Sequence, residues 1–454
     1  MNFPSNLPLP ESAARFLRWA LIALTLISLS ALSASADAQS GPTSTTLEAA
    51  QVTPPTAAWR ASLPRDPDSA TRAYLDRLPA AARERSNAYF EGGYWLELWD
   101  SLYGIGVAMI LLQTRWAARV RDCLKRGDRL GYWRIGVLAA AYTLVTTLLE
   151  FPLTVYEGYF RQHQFGLLNQ TFTPWLKEQG IGLGISLITM SLLIATVYTV
   201  LRKFPKTWPA WVTGVILSFM TVGIVIAPVY LAPLFNTYTR LEDGPVRASL
   251  LALAHGNGIP AQDIYAFDAS KQSNRISANV SGLLGTMRIS LNDNALKRLT
   301  LPQIRGVTGH EMGHYVLHHI YKMLIDFTLI VAALCYLVRS LFTRAQARWG
   351  SRWGITGLAD PAGLPLLLGL FTILMFLIHP LTNSIIRMQE AEADLFGVNA
   401  SREPDGMADA FLLLTEYRKP EPGGLEEMIF FDHPSARTRI HMMMTWKSEN
   451  WPQP

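Results

Sequence analysis

Residues 308–319 read TGHEMGHYVLHH. His310 and His314 stand four apart, and Glu311 directly follows the first. On a helix, that spacing puts both imidazoles on one face, about one turn apart. Two nitrogens so placed can reach one divalent cation, and these ligand types favour Zn²⁺. Glu311 sits one residue round the helix. It can reach a metal-bound water without filling a ligand position, which suits the general base of a hydrolase. Gly309 and Gly313 thin one side of the same helix. The competing reading is a polar helix that is merely rich in histidine. His318 and His319 are expected to be solvated or supporting groups near the helix end.

A catalytic zinc takes three protein ligands and keeps one position open. Residues 387–394, RMQEAEAD, offer the third ligand. Glu390 and Glu392 compete for it. Glu390 and Asp394 are four apart and share a helical face, whereas Glu392 points to the other side. One face therefore offers a ligand in Glu390 and, in Asp394, an acceptor able to fix a ligand histidine's tautomer. The alternative is an ordinary acidic helix start.

The elements that must hold these groups are partly legible. Thr300-Leu301-Pro302-Gln303 is a helix start, with a capping threonine, a proline in the first turn and glutamine three residues on. The helix is expected to run through His310 to about Ile320. Stretches 276–283 and 287–291 read as paired short strands, and an exposed edge there could hold an extended peptide.

The surroundings are those of a membrane. Of 454 residues, 50% are hydrophobic and 17% charged, with 13 tryptophans. The net charge of +5 is gathered in short stretches between apolar runs. It is not interleaved with aromatics on one face, so nucleic-acid binding is excluded as a function class. Cys123 and Cys335 cannot build a disulfide framework or a cysteine metal site. Residues 1–38 resemble a signal peptide, with Arg15 and Arg18, an apolar run at 19–32 and a small-residue cleavage site at Ala36-Asp37-Ala38. An uncleaved first transmembrane helix is the alternative. A polar region follows at 39–97, in which 67–87 is expected to form helix. Transmembrane helices occupy 98–235, with apolar runs at 102–112, 135–156, 181–201 and 211–231. The histidine motif lies in a metalloprotease domain at 236–320. A transmembrane hairpin at 321–386 carries runs at 325–338 and 364–378. Residues 387–454 complete the catalytic part with the third ligand. Glu150, inside an apolar run, is expected to face protein or a water-filled space. The loops at 114–134, 202–206 and 339–352 are rich in arginine and lysine. By the positive-inside rule they are cytoplasmic, which puts the catalytic side outside the cytoplasm.

Taken together, these stretches resemble the type I CAAX prenyl endopeptidases, a family of integral-membrane zinc metalloproteases. HEMGH is similar to that family's HELGH. Residues 387–394 fit its R-x-x-E-x-x-A-D pattern, which selects Glu390 over Glu392. Asp432-His433-Pro434-Ser435, with Arg439 and Ile440, resembles its HPP…RL segment. Residues 229–236 and 165–169 resemble its P-L-F-N and H-G-F-N stretches, and Ser277-Ala278-Asn279 its S-N-A strand. Arg240 stands where the family often has proline, and 292–296 replaces a more apolar stretch.

The resemblance implies a mostly α fold: a multi-spanning barrel of seven transmembrane helices around an aqueous chamber, closed by a zincin-like domain with a small β-sheet. It implies peptide-bond hydrolysis, one Zn²⁺ per chain held by His310, His314 and Glu390, and Glu311 as base. His433 and Arg439 are then the expected donors to the oxyanion of the tetrahedral intermediate, and Asn279 the anchor for substrate. The expected partners are a peptide or protein substrate, lipidated or plain, and membrane lipid, in a multi-pass protein of the plasma or inner membrane. The substrate is either CAAX-type or drawn more broadly from membrane proteins in quality control. A membrane scaffold that merely keeps a metal is the non-enzymatic alternative. The family's eukaryotic members present the zinc domain to the cytosol, and the charge count here points the other way.

Overall fold

The computed structural model describes residues 52, 55–125, 127, 130–281 and 287–450. The apolar run at 19–32 and the expected cleavage site lie outside the described residues.

Helix α1 (Pro67–Leu75) starts on Asp66, whose carboxylate accepts the Ser69 amide at 2.8 Å. The helix expected over 67–87 is divided. Pro79 has no N–H to continue the helix hydrogen bonding, and here it caps the start of α2 (Ala80–Gln113). Helix α2 then runs unbroken past residue 97 into the first apolar run. Helices α3 (Trp116–Leu124), α4 (Tyr132–Val155), α5 (Phe172–Lys203) and α6 (Trp208–Ile226) follow. The polar region holds β1 (Tyr238–Arg240), α7 (Pro245–Gly256), β2 (Ile264–Phe267), β3 (Ala278–Ser281), β4 (Arg288–Asn292), α8 (Asp293–Arg298) and α9 (Leu301–Val316). After it come α10 (His319–Trp353), α11 (Leu364–Ser401), α12 (Pro404–Leu413), α13 (Gly424–Phe430) and α14 (Ala436–Asn450).

Among the described residues, six helical segments are long and apolar enough to cross a membrane: Ala80–Gln113, Tyr132–Gln164, Phe172–Lys203, Trp208–Leu234, His319–Trp353 and Pro361–Ser401. Each contains one of the six apolar runs. Even the shortest has 27 residues, or about 40 Å at 1.5 Å per residue, against a hydrocarbon core of about 30 Å. Their ends must project, and a projecting end can carry chemistry. The spans pack in a closed ring: α2 on α4, α4 on α5, α5 on α6, α6 on α10, α10 on α11, and α11 back on α2. Tyr103, Leu138, Tyr198 and Trp208 lead the apolar core of that ring. Four of the spans, α2, α4, α5 and α11, line a cavity of about 790 Å³ bordered by Glu97, Asp100, Thr143, Thr146, Glu150 and His379 among others. Glu150 thus faces a polar space, as the cost of a carboxylate in lipid requires.

The basic loops meet at one end of the ring. Arg115 donates to the Arg352 and Ser351 carbonyls at 2.8 and 2.9 Å, and Arg339 to the Lys206 carbonyl at 2.7 Å. The catalytic segments gather at the other end. Their sheet has the order β1-β2-β4-β3, with β2 and β4 parallel and the outer pairs antiparallel. The paired strands expected from sequence are β3 and β4, with Asn279 opposite Ser290. Strand β3 is the sheet edge nearest α9. The sheet, α7 and α9 share a core of Leu250, Ile264, Ile289, Leu291, Ile304 and Met312. A second core joins α1, α12 and α14 through Tyr74, Leu75, Phe411, Leu412, Ile440 and Trp446. The loop 165–169 ties the membrane ring to this domain: Asn169 donates to the Ser270 carbonyl at 2.8 Å, and Asn274 to that of Gly166 at 3.0 Å.

Candidate active site

Helix α9 begins on a capping box, in which the Thr300 amide donates to the Gln303 side chain at 2.7 Å. It ends at Val316 and not near Ile320. The chain turns at His318, in the left-handed region with φ of 58°, and restarts as membrane helix α10. The turn frees α9 from the direction of the span, so it can lie against α11.

That contact is close because it is made of small residues. A Cβ on Gly309 would lie 3.1 Å from the Gly397 carbonyl oxygen, and one on Gly313 would lie 3.1 Å from the Ala393 Cα. A Cβ on Gly397 would come within 2.8 Å of the His310 backbone nitrogen. This approach brings the Glu390 turn of α11 over the histidine turn of α9.

The groups meet as follows. The Nε2 atoms of His310 and His314 are 3.2 Å apart. Glu390 Oε2 lies 3.2 Å from His310 Nε2, and Oε1 lies 3.4 Å from His314 Nε2. One donor atom from each of the three falls within 4.8 Å of the others. Glu390 Oε2 is buried and receives no properly directed hydrogen bond. An orphaned, buried carboxylate oxygen facing two imidazole nitrogens is what a tetrahedral zinc position needs, so the residues present fit that ion.

The far side of each imidazole is fixed as well. His310 Nδ1 donates to Asp394 Oδ1 at 2.8 Å, because a carboxylate can only accept. The Nε2 lone pair is thereby left toward the cluster. Asp394 is fully buried, and Arg439 grips it with Nε at 2.7 Å and Nη2 at 2.5 Å. Removing either partner of such a buried pair costs on the order of 3–5 kcal/mol. Burial works to lower the pKa of His310, but the Asp394 carboxylate outweighs it and carries the group to about 10, so a cation that binds there would have to displace the Nε2 proton. His314 is held down at about 4 by burial and then by His310, so it is neutral at physiological pH, as a ligand must be.

His319 was expected to be solvated or supporting; it is 1% exposed, and it supports. Its Nε2 donates to Glu392 Oε2 at 3.1 Å, which leaves Nδ1 as an acceptor. His314 Nδ1 lies 2.9 Å from that atom and must donate to it, freeing its own Nε2 for a metal. Lys322 anchors Glu392 at 2.7 Å. Glu392, the losing candidate for the third ligand, thus ends a chain that sets the tautomer of the second. The only trace in the sequence is a histidine at the foot of an apolar run. His319→Phe is expected to weaken zinc binding about 10- to 100-fold, measured by competition with a chromogenic chelator. Affinity equal to the parent's would remove His319 from this role.

Glu311 stands on the wall of a cavity of about 150 Å³, together with Ser277, Ala278, Val307, His310 and His433. Burial pushes its carboxyl up to about 7, against the pull of His310. His433 Nδ1 donates to Asp432 at 2.9 Å, and its Nε2 lies 3.1 Å from Glu390 Oε2. Its loop is placed by Arg387, whose Nη1 donates to the carbonyls of Glu427 and Phe431 at 2.9 and 2.5 Å. That explains the arginine which opens the R-x-x-E-x-x-A-D stretch, a role not read from sequence. Arg439 Nε and Nη2 are taken up by Asp394, so this geometry favours a positioning role over the expected oxyanion contact. Asn279 lies on the edge strand β3.

Residues 240–447 match peptidase family M48. Residues 67–237 match the CAAX prenyl protease N-terminal family of five membrane helices. The uncharacterised metalloprotease YhfN of Bacillus subtilis is 31% identical over 313 residues, 68% of this chain and 73% of that one. A CAAX prenyl protease 1 homologue of Dictyostelium discoideum is 30% identical over 275 residues, 57% of this chain and 61% of that one. The crystal structure of Ste24p from S. mikatae is similar in fold, with a TM-score of 0.61 at 18% identity over 96% of this chain and all of that one.

Proposed function

Since the chain belongs to peptidase family M48 and is a multi-pass membrane metalloendopeptidase, we propose that it is a zinc-dependent endopeptidase acting on membrane-associated, CAAX-type peptides. The observation that carries this reading is the convergence of His310, His314 and Glu390 beside a Glu311 that is not a ligand. These three residues would hold the zinc ion, which when bound lowers the pKa of water toward about 7 and polarises a carbonyl. Glu311 takes up the proton of the attacking water on its carboxylate and passes it to the leaving amine. His433, held at Nδ1 by Asp432, offers Nε2–H to the oxyanion as the imidazolium, the form that the developing negative charge favours. Asp394 and Arg439 hold His310, and His319 holds His314. An extended substrate adds to the free edge of β3, with Asn279 as its side-chain anchor. Ligands drawn from both sides of the α10–α11 hairpin make the site depend on the intact membrane ring.

The basic loops gather at the end away from the site, which by the positive-inside rule supports a site outside the cytoplasm. That orientation favours a second reading, in which the substrates are a broader set of membrane or secreted proteins. Sealed vesicles of defined orientation test activity and side together. Right-side-out vesicles are expected to cleave an added impermeant peptide, to stop with an impermeant chelator and to resume with added zinc. Cleavage only by inverted vesicles would reverse the orientation. No chelator-sensitive cleavage by either kind would end the zinc-peptidase assignment.

A further inference from the structure

We infer that Arg418 binds a carboxylate of the substrate on the leaving side of the scissile bond; this rests on the peptidase reading above. Apart from the phenol of Tyr417, the catalytic cavity is lined by five ionisable residues, His310, Glu311, Arg418, His433 and Arg439. Four have work already. His310 and Arg439 are engaged by Asp394, His433 by Asp432, and Glu311 is the base. The Arg418 guanidinium has no hydrogen bond or ion pair among the described residues. It lies 6.0 Å from the centroid of the Tyr417 ring, and its charge acts without contact on Asp432 and His433.

The position of Arg418 is built. Its backbone carbonyl accepts the Ser86 hydroxyl of α2 at 2.8 Å, and its amide donates to the Thr415 carbonyl. The charge reaches the reaction site: His433 is held low by burial first, and Arg418 adds to the effect. Asp432 feels the charge of Arg418 but does not touch it. The guanidinium therefore keeps its donors free among the described residues, and a substrate carboxylate meets that planar fork with two parallel hydrogen bonds.

The cavity also says which part of a substrate reaches the guanidinium. It is bounded by Glu311 and by Ser277 and Ala278 at the start of the edge strand, not by His314 or Glu390. Glu311 must face the nitrogen that it protonates. The residues that depart with that nitrogen therefore run into this cavity, toward Arg418. Their carboxylate comes either from the chain terminus or from an Asp or Glu side chain.

Binding decides the matter without relying on turnover. The full-length Glu311→Gln protein is titrated in detergent with three fluorescent peptides of one sequence: a free C-terminal acid, its amide, and the amide with one Glu near the end. The acid is expected to bind about 10- to 100-fold tighter than the plain amide, the range for a charge-assisted pair. If the Glu amide recovers the affinity, the side chain is the source; if it does not, the terminus is. In Glu311→Gln/Arg418→Ala the acid and amide should bind alike, and Arg418→Lys should restore part of the gap. Equal binding of acid and amide by the protein that keeps Arg418, or a gap that survives its removal, overturns the proposal. Cleavage by the parent is scored separately, so a failed peptidase reading would be seen on its own.

Discussion

Glu311→Gln is expected to lower peptide cleavage about 100- to 10,000-fold while leaving close to one zinc per chain. The two outcomes separate because the side chain is beside the metal cluster and not part of it. The three donors that meet within 4.8 Å are His310, His314 and Glu390, and Glu311 faces the neighbouring cavity. An amide has the same shape as the carboxylate, so packing on the half-buried wall is kept. What it cannot do is accept a proton from water and return it to the leaving amine. Metal analysis and peptide assay on one purified sample read both quantities. Cleavage at the parent's rate would remove the general base from the mechanism. Loss of the metal together with activity would mean that Glu311 holds the site together and is not its base.

The legibility of the site followed the range of the interactions. Spacing within one helix could be read directly, so His310, His314 and Glu311 stood out, as did the shared face of Glu390 and Asp394. The six apolar runs each fell in one span, because bilayer thickness imposes a length that composition reveals. Ring closure was not readable from residue pattern and came only with the resemblance. The break at His318 was missed because a left-handed residue other than glycine leaves little sign in sequence. Pro79 did leave one, yet the expected helix over 67–87 ran through it. The pairing of His314 with His319 and Glu392 depends on that break, and so was missed with it. Arg439 was placed near the chemistry, but its grip on Asp394 is set by packing of α14 against the α11–α12 layer, which spacing does not encode.

Gly397 carries the other large effect, for a reason of volume. Gly397→Ala puts a methyl group 2.8 Å from the His310 backbone nitrogen and 3.0 Å from its Cα. Met407 Cε, at 3.2 Å, is the end of a flexible side chain and can move; helical backbone cannot. Helices α9 and α11 must therefore separate, at a cost of about 1–3 kcal/mol for overpacking a tight contact. The larger loss is geometric. His310 rides on α9 and Glu390 on α11, so the shift enters the ligand distances directly, and misplacement by about 1 Å can cost about 100-fold in rate. Gly397→Ala is expected to lower both zinc affinity and the unfolding temperature in detergent, and Gly397→Val to lower both further. Gly256→Ala, at a helix end with open space around it, serves as the control and should leave the site intact. If Gly397→Val bound zinc as tightly as the parent, the α9–α11 contact would not be what sets the ligand geometry. The assembly of the site would then have to rest on the Asp394–Arg439 pair alone.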